Sequence, residues 1–380
     1  MAYLDHNATS PLRPEARKAA EHALTIGGNA SSVHGAGRAA RAIIERARER
    51  VAALAGSRPE NVIFTSGGTE ANALALWGAV HGAVDAEARL TRLFVSAIEH
   101  ESVRANAASI AERVAGVRLE TIPVTADGVA DLDALRVLLR EGKGRALIAL
   151  MAANNETGVV QPVAEAAMLA EEAGALTLVD AVQAAGKIPL PAADFVSLSA
   201  HKLGGPQGSG ALIVREGAPL AAQILGGGQE RGMRAGTENL SGIAGFGAAA
   251  EAAVRDIASP GTALRDLFEA GLRRMAPDVV IFGANALRLT NTSYFALPGL
   301  SAETALMGLD LDGVMLSSGS ACSSGKVKLS HVLAAMGVKE DLARCALRAS
   351  FGWNSTEADV EAALVLLSKL LARVAARAAA

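Results

Sequence analysis

The sequence predicts an α/β protein, with a mostly parallel sheet flanked by helices and a second, smaller α/β unit. Three observations predict it. From about residue 61, short β-branched or apolar runs alternate with helical stretches, the text of a parallel sheet with crossover helices. Half of the 380 residues are apolar (51%), yet aromatics are only 3% and glycines number 39, which suits close helix-on-sheet packing with many turns. The length exceeds what one small core needs and fits one large domain plus a smaller one.

The elements follow in order. Residues 36–55 read as an amphipathic helix. Its Arg38, Arg41, Arg46, Arg48 and Arg50 lie near Glu45 and Glu49, which predicts a solvated face of near-neighbour ion pairs. NVIFT (61–65) is a strand and TEANALALWGAV the helix after it. RLFVSAI precedes the helix VRANAASIAERV, and ALIALM (146–151) precedes PVAEAAMLAEEAG. ALTLVD (175–180) and DFVSLS (194–199) are further strands, and a helical pattern begins near Thr237. ASPG (258–261) breaks that pattern. Beyond it come a helix, strand-like VVIFG and LTNTSYFAL, more helix, and an amphipathic helix from about residue 356.

Composition excludes several functions. Lys and Arg number 36 against 39 Asp and Glu, a net charge of −3, so the basic field of a nucleic-acid binder is missing. Two cysteines, Cys322 and Cys345, make no disulfide framework and are too few for a structural zinc site of their own. No basic segment followed by an apolar run opens the chain, and the apolar helices are interrupted by Glu251, Arg255, Lys369 and Arg373. The expectation is a cytoplasmic protein without a membrane span.

Three segments at strand ends carry the chemistry. TSGGTEAN (65–72) is a Gly-rich turn into a helix. Gly67 and Gly68 allow an anion close to the backbone, the helix N-terminus presents free N–H groups, and Thr69 adds a hydroxyl. It has no Walker lysine, and taken alone it would as readily be a plain turn capped by Thr69. In LVDAVQAAGK (178–187), Asp180 ends an apolar strand, suited either to capping or to pairing with a cation such as a protonated ring nitrogen, with Gln183 three residues on. In SLSAHKLGGPQGSG (197–210), Lys202 enters a Gly-rich turn flanked by Ser199 and His201, a setting that lowers an amine's pKa and makes it nucleophilic. An anion cradle, a strand-end acid and a strand-end lysine together are the parts of a pyridoxal phosphate site.

From YLDHNAT to LRASFG the chain resembles the cysteine desulfurases of the class V aminotransferase family, in the branch serving iron–sulphur cluster assembly and nitrogen fixation. GNASSVHGAG, FTSGGTEAN, IEHESV, NNETGVVQP, VDAVQAAGK, LSAHKLGGPQG, GGGQERGMRAGTEN, SSGSACSSG and SHVLAAMG carry the resemblance in the family's order. It implies a fold type I homodimer with a seven-stranded sheet. A large cofactor-binding domain would span 15–257, and a small domain of 1–14 and 258–380 would carry the Cys322 loop. Pyridoxal 5'-phosphate would sit as a Schiff base on Lys202. Asp180 would pair with the pyridinium nitrogen and Gln183 with the ring's 3-oxygen. His100 would stack on the ring and shuttle protons. Gly68, Thr69, Ser199 and His201 would hold the phosphate with Thr237 of the neighbouring subunit. Asn155 and Arg348 would bind the substrate carboxylate.

Cys322 decides the branch. It sits in SSGSACSSGK, small residues that cannot pack a core, whereas Cys345 in DLARCALRAS follows an apolar pattern and is expected to be buried. Family matching puts Cys322 at the persulfide-forming position of the long-loop group. L-cysteine would displace Lys202, whose freed amine removes the α-proton. Cys322 thiolate then takes the sulfur, leaving L-alanine and a persulfide for an acceptor or an iron–sulphur scaffold protein. General cluster assembly, nitrogenase maturation and tRNA thiolation all start from that persulfide. The basic stretch at 326–328 reads as a solvated loop. Competing readings are a selenocysteine lyase, a small-amino-acid aminotransferase and a non-catalytic carrier. The loop cysteine argues against the aminotransferase, and the joint presence of Lys202, Asp180, His100, Cys322 and Arg348 against the carrier. Metal ligation within the chain is not expected, since one exposed cysteine lacks companions; a cluster that Cys322 shares with a partner stays open.

Overall fold

In the computed structural model, the structure describes residues 1–83, 89–257, 261–318 and 329–378. A seven-stranded sheet runs, in spatial order, Val62–Thr65, Gly210–Val214, Phe195–Ser199, Leu176–Asp180, Arg145–Ala149, Leu90–Ser96 and Arg118–Ile122. Gly210–Val214 pairs antiparallel with both of its neighbours, and the other pairs are parallel.

Alternate residues of each strand serve opposite faces. Phe64, Phe94, Ile148, Val179, Val196 and Ala211 join one core, and Ile63, Leu93, Leu147, Leu178, Phe195 and Leu212 the other. Both faces are covered by helices, so the strands read as unbroken apolar runs instead of alternating ones. The helices pack through small residues. A Cβ added at Gly247, in Leu240–Asp256, would lie 2.6 Å from Ala47 Cα of Gly35–Leu54, so that contact needs glycine. Close approach of this kind is why so few aromatics suffice.

Further apolar packing, separate from these two cores, surrounds a three-stranded antiparallel sheet of Val280–Ile281, Thr292–Ala296 and Ala346–Ser350, with the parallel pair Ala2–Tyr3 and Val314–Met315 beside it. Phe268, in Gly261–Met275, stands edge-on to Phe295 at 5.4 Å and to Phe351 at 5.8 Å. The helix Glu357–Ala378 adds Val360, Ala363, Leu367 and Leu370 to this packing. Cys345 is buried with Tyr294 and Met336, as expected.

Most elements start and stop within two residues of the sequence reading. That reading names no strand at Arg118–Ile122, Gly210–Val214 or Ala346–Ser350. Arg118–Ile122 is an edge strand with one buried residue of five, so it carries no apolar run to detect. One expectation is wrong. Arg48 does not belong to a solvated face: it is 4% exposed, forks onto Glu230 at 2.7 and 2.9 Å and lies over the Phe64 ring. Its neighbour Glu45 accepts from it too, at 3.0 Å, but the partner that buries it is 182 residues away.

Candidate active site

The strand ends of the large sheet, the N-terminal segment and the strand Ala346–Ser350 converge on one place. Asn7 holds the junction. Its amide donates to Ser350 Oγ and its side chain to Thr292 Oγ1, each at 2.9 Å, while its carbonyl turns toward the large sheet. That carbonyl accepts Gln183 Nε2 at 2.9 Å and Lys202 Nζ at 2.5 Å, and Ala8 O accepts Lys202 Nζ at 2.8 Å.

Lys202 follows the strand Phe195–Ser199 on a single 3-10 turn. Burial first, then the Arg348 charge, lowers its pKa from 10.5 to about 8, against the pull of Asp5 and Asp180. About one amine in ten is therefore neutral at pH 7 and nucleophilic, far more than for an ordinary lysine. Next to it, His201 is held at a pKa of about 4 by burial and by Lys202, with Nδ1 3.1 Å from Thr9 Oγ1.

Asp180 ends the strand Leu176–Asp180 and is buried. Oδ2 accepts Asn72 Nδ2 at 2.8 Å and Oδ1 accepts the Val182 amide at 3.0 Å. Each oxygen keeps a lone pair, which suits a cationic N–H. Asn72 lies in the helix Gly68–His81, so the acid is anchored by the helix whose N-terminus faces the anion cradle. Its N-cap, Gly67, has no side chain to cap it, and the Glu70 carboxylate reaches back to the Ser66 amide at 2.8 Å. A Cβ added at Gly68 would lie 2.7 Å from Val182 Cγ2 and 3.5 Å from Ser199 Cβ, so the missing side chain is what lets the turn close over the strand ends. Free helix amides, Thr69, and Ser199 near the lysine form a bed fit for a phosphate, with the carboxylate and the amine placed for a pyridine aldehyde. The residues present therefore fit pyridoxal phosphate.

His100 is exposed and opens the helix Glu101–Arg113. Its Nδ1 accepts the Ser102 amide at 3.1 Å, which puts the proton of the neutral ring on Nε2. Arg348 is 3% exposed; Nη2 donates to Asp5 Oδ1 at 2.7 Å and Nη1 to Asn155 O at 2.9 Å. Its Nε is buried with no partner among the described residues, a donor left for an incoming carboxylate. Asn155 enters through its backbone carbonyl, which also accepts Asn7 Nδ2 at 3.2 Å.

Thr237 is exposed and shares a surface pocket with Thr65, Ser66 and Arg234, not the cavity that Lys202 lines. That cavity, bounded also by Lys187, Arg13 and Phe351, touches the site only through Lys202 and holds neither the acid nor the helix N-terminus. The strand-end cluster is accordingly the better candidate for chemistry. Cys322 lies outside the described residues, as do residues 326–328 and most of the ASPG breaker. Among the described residues no group of three His, Cys, Asp or Glu side chains could hold a metal ion, and no helix is long and apolar enough to cross a membrane.

Sequence reasoning overlooked Asp5, Asn7 and Asn72 as site residues. Their signal was present, since Asp5 and Asn7 sit in YLDHNAT and Asn72 closes TSGGTEAN. It also overlooked Glu99, fully buried with its pKa pushed well up by burial and by Asp180.

Residues 2–363 match the family described as aminotransferase class-V. A protein of Mycobacterium tuberculosis named an IscS-like cysteine desulfurase is 40% identical over 98% of this chain and 97% of its own length. Among solved structures, a NifS-like protein of Rickettsia africae superposes with a TM-score of 0.86 at 33% identity, covering 98% of this chain and 99% of that one. A structure titled SspA in complex with cysteine superposes at 0.80 with 28% identity, covering 92% and 99%.

Proposed function

The chain belongs to the class-V aminotransferases and is a pyridoxal-phosphate-dependent cysteine desulfurase, and from that premise we propose how its own residues divide the work. The observation that carries this division is the Lys202 amine, lowered in pKa and bridging two backbone carbonyls beside the Asp180 carboxylate.

When bound, pyridoxal phosphate supplies an electron sink for the bonds around the substrate's α-carbon. Lys202 would hold the cofactor through its amine, and that amine, once free, would accept the α-proton of L-cysteine. Asp180, fixed by Asn72 and the Val182 amide, keeps the ring nitrogen protonated. Gln183, with one Nε2 hydrogen on Asn7 O, offers the other to the ring oxygen. Gly68, Thr69, Ser199 and His201 hold the phosphate, and Thr237 does so for the neighbouring copy of a homodimer. His100 Nε2 would carry a proton to or from the substrate. Arg348 takes the substrate carboxylate through Nε, with Asn155 positioning the guanidinium.

Cys322 is the sulfur acceptor of the first half-reaction. Its thiolate attacks the substrate sulfur, the S–S bond forms, and the carbon–sulfur bond breaks. The bonding pair goes to the carbon skeleton, which takes up protons and leaves as L-alanine. The persulfide passes to an acceptor or iron–sulphur scaffold protein, in the cytoplasm. Residues 15–257 and the pair 1–14 with 258–380 act as two domains, a division supported by the separate core that joins Ala2 and Leu4 with Phe268, Phe295 and Leu367.

The test is alanine release from L-cysteine by the cofactor-loaded protein with a thiol reductant. Wild type should release alanine. Lys202→Ala should release none, and Cys322→Ala should bind cysteine with a spectral change yet release almost none. Normal turnover by Cys322→Ala would refute the assignment.

A further inference from the structure

Tyr294 is completely buried in the small sheet and Glu156 is 2% exposed, and no role above uses either. They belong to one polar knot. The Tyr294 hydroxyl donates to Ser318 O at 3.1 Å and interacts with the side chains of Glu156 and Ser330. Ser330 Oγ in turn donates to Glu156 Oε2, and it accepts the Leu333 amide at 3.0 Å as the cap of the helix His331–Ala335. Burial raises the pKa of both the phenol and the carboxyl, against the pull of Arg348 on each.

Its position gives it meaning. Ser318 and Ser330 stand on either side of the stretch 319–328 that contains Cys322. One core tyrosine therefore reaches the chain where it departs toward Cys322 and the chain where it returns. The departing side is also zipped to the substrate arginine, because Ser317 N donates to Arg348 O at 3.1 Å and Arg348 N to Ser317 O at 2.6 Å. On the returning side His331 Nε2 lies 3.0 Å from Glu99 O, one residue before His100. Both attachment points are thus referenced to the residues assigned to substrate and cofactor.

We propose that Tyr294, Glu156 and Ser330 are positioning residues for the sulfur-transfer half of the reaction, fixing both ends of the Cys322 segment relative to Arg348 and His100. The proposal rests on the reading of Cys322 as sulfur acceptor. Holding Ser318 and Ser330 in place fixes where the chain leaves and re-enters the described fold on either side of Cys322, and loosening either anchor lowers the effective concentration of the thiol at the substrate. None of the three side chains is among those assigned above to the cofactor or the substrate carboxylate, so their loss should spare the chemistry that precedes Cys322.

The experiment is a single turnover of the cofactor-loaded full-length protein with L-cysteine, read twice. Absorbance follows the reaction of cysteine with the cofactor, and alkylation with mass spectrometry follows persulfide on Cys322. Tyr294→Phe should leave the first rate within about twofold and slow the second about tenfold or more. Ser330→Ala, which removes a hydroxyl at a helix cap and leaves the core strand intact, should show the same split and keeps the test available if Tyr294→Phe does not fold. Equal slowing of both rates, or no slowing of either, would overturn the proposal. No persulfide on Cys322 of the wild type, with alanine still released, would instead overturn the assignment of Cys322 on which it rests.

Discussion

Lys202 offers the most direct check on the site, because its pKa sets how fast the apoprotein captures the cofactor aldehyde. Only the neutral amine attacks a carbonyl. Burial and the Arg348 guanidinium disfavour the charged amine and bring its pKa to about 8 instead of 10.5. At pH 7 about one amine in ten is then neutral, against about one in three thousand for an unperturbed lysine, a gain of about 300-fold in competent nucleophile. The sign follows: capture speeds up tenfold per pH unit below the pKa and flattens above it. Stopped-flow absorbance of apoprotein mixed with pyridoxal phosphate, from pH 6 to 10.5, measures this, with about 10.5 as the upper end set by lysine's ordinary value. A free alkylamine run with the same aldehyde corrects for the aldehyde's own ionisations. The corrected rate should bend near pH 8, and Lys202→Ala should abolish the phase. A rate that keeps climbing through pH 10, about where an ordinary lysine titrates, would refute the electrostatic argument.

Two further outcomes follow from geometry. Gly68→Ala places a methyl group 2.7 Å from Val182 Cγ2 and pushes the helix N-terminus off the strand ends. The helix gains up to about 1 kcal/mol from alanine, and overpacking costs about 1–3 kcal/mol. The melting temperature should therefore fall only slightly, while equilibrium dialysis should show cofactor bound about tenfold more weakly or worse; unchanged affinity would mean the turn is not the phosphate cradle. Glu230→Gln takes away the buried counter-ion of Arg48, leaving only the half-exposed Glu45 beside it, and weakens the acceptor of the Phe64 amide, a loss of about 3 kcal/mol by urea denaturation. Replacing Arg48 and Glu230 together by methionine should cost less than either single change, since no charge is then stranded.

The sequence by itself determined where the chemistry-bearing residues stand along their elements. Asp180 ends an apolar run and Lys202 follows one, and an apolar run of that length beside helical text means a strand covered on both faces, whose polar ends meet the solvent edge of the sheet. The same local logic placed Gly68 and Thr69 at the start of a helix and buried Cys345.

What needed the tertiary structure was every partnership across the chain. Arg48 reads as one of five arginines on a solvated helix until Glu230 folds over it. Arg348 is bound by Asp5, 343 residues away, and Asn7 brings the small sheet to Lys202 from the opposite end of the sequence. The edge strand Arg118–Ile122 exists because Leu90–Ser96 offers it a parallel partner, not because of its own residues. The physical reason is the same in each case. Periodicity records which side of an element avoids water, whereas an ion pair or a strand pairing is stabilised only when packing brings its two halves together and removes the water between them.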